Sequence, residues 1–148
     1  MSRSPSGEMD AALQAVLSDM QQALNDLAQI LDVERTAVHA LDSAALDSAG
    51  ASKQSLLRRL EQLDLERQQL LRETPTTAPA FAATWPQIVQ SLRACQQLNQ
   101  RNGCAVNQRL LQVREALSTL TGHGGEGNLY GRGGALRASL RSQVLAEV

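Results

Sequence analysis

Aromatic residues are almost missing from this chain: Phe81, Trp85 and Tyr130 are the only three in 148 residues. Leu and Ala carry nearly all of the apolar weight instead, and both favour helices over strands. A β-sandwich or a doubly wound α/β sheet is thereby excluded. Long apolar runs are also lacking, so nothing approaches the ~20 residues that span a bilayer. The opening Met1-Ser-Arg-Ser-Pro-Ser-Gly has no apolar core and does not read as a signal peptide. Cysteine is scarce. Cys95 and Cys104 fall nine residues apart in one helical pattern, about 13 Å along its axis, too far to bridge. Two free thiols fit a reducing cytoplasm, which is the expected location.

Neither sign of charge predominates. The formal net charge is −1 and the pI about 6.1, so no global field draws the chain to nucleic acid or to an anionic membrane. The charges are unevenly placed: residues 1–50 hold eight acids and two bases, residues 75–148 three acids and seven bases. That polarity lets the first part of the chain neutralise the last. Catalytic constellations are missing too. His39 and His123 have no acid at a triad or metal-helix spacing, and no HExxH, CxxC, GxGxxG or P-loop pattern occurs. The chain reads as a non-enzyme with no cofactor and no metal.

What the sequence does contain is heptads. Leu13, Leu17, Met20, Leu24, Leu27, Leu31, Glu34, Val38 and Leu41 alternate spacings of four and three, the seam of a coiled-coil helix. Asp42-Ser43 offers an N-cap, and a second series follows: Leu46, Ala49, Lys53, Leu56, Leu60, Leu63, Arg67 and Leu70. Folding the second series back on the first near Asp42 sets Leu41 against Leu46, Val38 against Ala49, Leu31 against Leu56, Leu27 against Leu60, Leu24 against Leu63 and Leu17 against Leu70. The one polar member of the first seam, Glu34, then falls opposite Lys53, the only lysine in the chain. A semi-buried pair of this kind adds little net stability but penalises slipped alignments. Met20 falls opposite Arg67, whose stem is expected to lie over apolar surface.

Residues 74–83 read as a linker, and Thr84-Trp85-Pro86-Gln87 as a helix start with a capping box. A third seam runs Ile88, Leu92, Cys95, Asn99, Asn102, Val106, Leu110, Val113, Leu117 and Leu120, with one extra residue before Leu110, as in a stutter. Asn99, Asn102 and Gly103 interrupt it where core residues belong, which points to close helix approach, a hinge or an interaction notch. The expected fold is all-α: an antiparallel three-helix coiled-coil bundle over residues 1–121, with helices about 8–41, 43–73 and 84–121. Residues 122–148 form a separate tail. Its first part, 122–134, holds seven glycines around Leu129-Tyr130 and cannot bury enough apolar area to offset its ordering entropy. Its second part sets Leu136, Leu140 and Val144 at spacings of four, a short amphipathic helix that needs a partner.

Four blocks stand in order along the chain: Val16-Leu17-Ser18-Asp19-Met20 with Ala23-Leu24-Asn25-Asp26-Leu27, then Lys53 with Ser55-Leu56-Leu57, then Leu98-Asn99-Gln100-Arg101-Asn102-Gly103, and the late Leu129-Tyr130-Gly131. Together they resemble FlgN-type flagellar export chaperones. The resemblance implies a cytoplasmic, non-enzymatic type III export chaperone. Such proteins bind hook–filament junction proteins, prevent their premature assembly and deliver them to the cytoplasmic domain of the flagellar export gate. It implies client binding in 122–148, where Leu136, Leu140 and Val144 are the candidates, and gate docking through Leu129 and Tyr130. Membrane association would be peripheral, through the export apparatus. Arg132-Gly133-Gly134 follows Gly131 where family members often place an acid. The competing expectation is a structural homodimeric coiled-coil adaptor with no export client; no nucleic-acid partner is expected.

Overall fold

The protein is described here by a computed structural model covering residues 4–73 and 79–122, the side chain of Ala80 apart. Three helices follow in order: α1 (Pro5–Ala40), α2 (Ser43–Glu73) and α3 (Pro79–Thr121). There are no strands among the described residues. No helix among them is long and apolar enough to cross a membrane.

Helix α1 begins three residues before the expected start, because Ser4-Pro5 is a stronger signal than the onset of the heptads. Ser4 is the N-cap and its side chain accepts from the Gly7 N–H, while Pro5 occupies a first-turn position where no N–H is needed. The helix ends at a reversal. Leu41 takes a left-handed conformation (φ 54°, ψ 33°), its N–H and that of Asp42 returning to the Val38 and Ala37 carbonyls. This is a Schellman arrangement, usually given to glycine. It corrects the pairing of Leu41 with Leu46 in the seam: Leu41 is 61% exposed, because the residue that reverses the chain cannot also face the neighbouring helix. Asp42 caps α2, its carboxylate accepting from the Ala45 N–H at 3.0 Å.

Helix α3 also starts early, at Pro79. Residues 79–83, expected as linker, are helical, and Thr84-Trp85-Pro86-Gln87 lies inside the helix rather than at its start. Side-chain contacts explain the extension. Phe81 and Trp85, one turn apart, stack at 5.5 Å, and the Arg67 guanidinium of α2 lies 4.1 Å over the Trp85 ring. A stacked pair under a cation offsets the hydrogen bond that Pro86 removes.

Helix α1 is the centre of the bundle. It buries Leu13, Leu17, Leu24, Leu27 and Leu31 along the seam, and Val16, Ala23 and Ala37 beside it, a stripe wide enough for two neighbours. Helix α2 runs back along it, since Asp19 meets Arg59 and Glu34 meets Lys53. Helix α3 runs alongside in the same sense as α1: Cys95 reaches the Leu24 carbonyl, Asn102 that of Leu31 and Arg109 that of His39. Helices α2 and α3 meet through long side chains, Lys53 with Asn99 and Arg67 with Trp85. Leu92, placed in the third seam by spacing, is a seam-edge residue, 38% exposed, between the buried Ile88 and Cys95.

Candidate interaction surface

The middle of the bundle holds a polar layer. Glu34, Lys53, Asn99 and Asn102, one or two from each helix, are all buried. Lys53 Nζ donates to Glu34 Oε2 at 2.9 Å and to Asn99 Oδ1 at 3.1 Å. Asn102 Nδ2 donates to Glu34 Oε1 at 3.0 Å and to the Leu31 carbonyl at 2.8 Å. Both oxygens of the carboxylate are therefore occupied, and no buried side-chain polar atom among the described residues lacks a partner. Such a layer tolerates one alignment of three helices, because a slip of one heptad leaves a charge in hydrocarbon. Gly103 is half-buried beside Asn102. The sequence pairs Glu34 with Lys53 but gives the asparagines no partner. The available signal was their position, two polar seam residues of the third helix where the other two seams also turn polar.

Above this layer the bundle opens. Helix α3 passes the end of α1 and continues to Thr121. Arg109 covers the last turn of α1, donating to the His39 carbonyl at 3.2 Å, where a cation suits the negative end of a helix. Next to it a cleft of about 270 Å³ lies between the hairpin and α3, lined chiefly by Val38, Leu41, Leu46, Val106, Leu110 and Val113. From the cleft the third seam runs on over Val113, half-buried Leu117 and Leu120. Val113 is 45% and Leu120 83% exposed, and Leu111 is exposed beside them. Apolar residues at coiled-coil spacing, uncovered, form a surface suited to an amphipathic helix.

Titratable chemistry is sparse by comparison. Burial pushes the Cys95 thiol above its ordinary value, so it stays a protonated core residue, while Cys104 is exposed. Among the described residues no group of three His, Cys, Asp or Glu side chains is placed to hold a metal ion. Of the residues singled out in the sequence, Leu129, Tyr130, Leu136, Leu140 and Val144 lie outside the described residues. The exposed end of α3 was missed as a surface. Spacing puts Val113, Leu117 and Leu120 in a seam, and only the ending of α1 leaves that seam uncovered.

Residues 9–138 match the family described as FlgN protein. Two curated relatives, each called flagella synthesis protein FlgN, come from Salmonella typhimurium (strain LT2) and Salmonella typhi. Each is 28% identical over 131 residues, covering 87% of this chain and 93% of the relative. No solved structure matches.

Proposed function

Because the chain belongs to the FlgN family, we propose that it acts in flagellum assembly as a chaperone for hook–filament junction proteins. It holds their helix-forming terminal segments unassembled and delivers them to the cytoplasmic domain of the flagellar export gate. The observation that carries this reading is the uncovered seam of α3. A client segment that is itself an amphipathic helix lays its apolar face over Val113, Leu117 and Leu120, with Leu136, Leu140 and Val144 completing the contact. Leu129 and Tyr130 supply an aromatic anchor for the gate. Holding by helix pairing, without a covalent or nucleotide-driven step, allows release by competition at the gate.

Calorimetric titration of a purified junction protein into the chain tests the client. Val113→Asp with Leu120→Asp is expected to weaken binding at least tenfold, and Leu136→Asp with Leu140→Asp to do the same. Equal affinity in both variants removes this surface from the mechanism. Tyr130→Ala is expected to lower gate capture in a pull-down while client affinity stays normal. An obligate dimer by light scattering that binds no client would instead support a structural coiled coil pairing through the same stripe.

A further inference from the structure

The described chain ends at Gly122, which has a φ of +65° with open space where a Cβ would stand. A left-handed glycine directly after a helix turns the backbone off the helix axis, so the chain leaves the line of α3 there. Beyond it the sequence holds a glycine-rich stretch, 122–134, and then Leu136, Leu140 and Val144 at spacings of four. The stretch reaches at most about 45 Å when extended, and the way back from Thr121 to Leu110 along the helix is about 16 Å. The segment can therefore return over the stripe it has just left. A tether of this length holds it at an effective concentration on the order of millimolar.

The residues also match in register. Running antiparallel to α3, Leu136 falls across from Leu120, Leu140 from Leu117 and Val144 from Val113, within one residue throughout. We propose that residues 135–148 fold back as a helix over Val113, Leu117 and Leu120, covering the chain's own apolar stripe when no client is held. The inference rests on the stripe and the turn at Gly122. It stands apart from the identity of any client, so its test uses the chain alone.

Amide hydrogen exchange on the full chain, followed residue by residue, is the measurement. Slow amides within 135–148 are expected to exchange at least tenfold more slowly than a free peptide of the same sequence, at a rate unchanged by tenfold dilution. In the Val113→Asp, Leu120→Asp variant that protection is lost, while amides of 13–38 stay protected and show that the bundle is intact. Both substituted residues are exposed, so folding is preserved. Three results overturn the proposal. Free-peptide exchange in the parent chain leaves the stripe uncovered, protection that survives the double variant places the segment elsewhere, and protection that fades on dilution assigns the stripe to a second copy.

Discussion

The middle of the bundle and the far end of α3 invert the usual placement of polar and apolar groups. At the middle a carboxylate, an ammonium and two amides are sealed inside, while at the far end leucine and valine face water. The polar layer has every partner it needs and is therefore closed. The apolar stripe runs on past the end of α1, and among the described residues it is open. The pair of regions teaches that burial here follows the lengths of the helices as much as their composition. The same heptad seam that makes core opposite α1 makes surface once α1 has ended.

The largest expected effect breaks the closed region. Lys53→Ala leaves Glu34 buried without its cation, and removing one partner of a buried pair costs about 3–5 kcal/mol. Urea denaturation is expected to show that loss, and a change below about 1 kcal/mol would mean that water already reaches the layer. Replacing both, Glu34→Leu with Lys53→Leu, is expected to keep or raise stability while weakening the preference for one register. Loss of a single sharp set of amide signals in the nuclear magnetic resonance spectrum checks it.

A matched pair of leucines sharpens the contrast. Leu27→Ala removes a fully buried side chain from the centre of α1 and is expected to cost about 2–5 kcal/mol. Leu120→Ala, at 83% exposure, is expected to stay within about 0.5 kcal/mol. Equal losses would show that Leu120 is packed as firmly as the core of α1. Leu41→Gly comes next. It relieves the left-handed leucine and is expected to stabilise the chain by about 1 kcal/mol, while removing an apolar wall of the cleft; a melting point that falls would show that Leu41 packs more firmly than its exposure implies.

The smallest effect concerns the thiols. Cys104 is expected to react with a thiol reagent well before Cys95, which is buried against the Leu24 carbonyl. Cys95 has its pKa raised by burial above the ordinary 9.0, so the folded state binds this proton more tightly than the unfolded one. The stability it contributes is present in full below pH 9.0 and declines as pH rises through the folded value. Cys95→Ala is expected to flatten that alkaline decline in a denaturation series, and an unchanged slope would assign it to other groups.

Much of the bundle was legible in the sequence, for a specific reason. Heptad spacing is a local property, so the three helices, the reversal near Asp42 and the facing of Glu34 and Lys53 follow from counting. The starts of α1 and α3 were less so. Ser4-Pro5 is a cap signal that the heptads do not announce, and the extension through 79–83 depends on Arg67 reaching Trp85 from another helix. Of the candidate surface, the sequence offered the tail residues and the seam but not its exposure.

Composition and periodicity alone determined that this chain makes helices, where they turn and which residues form their seams, because backbone preference and side-chain spacing act within a few residues. Tertiary structure decided the rest. It closed Asn99 and Asn102 around an ion pair from two other helices, put Leu41 at the reversal instead of in the seam, and left Val113 and Leu120 in water. The first and last of those outcomes depend on where a distant segment lies, and the second on how the end of α1 closes its own carbonyls. A side chain is buried only when another surface arrives to cover it, and no local pattern carries that information.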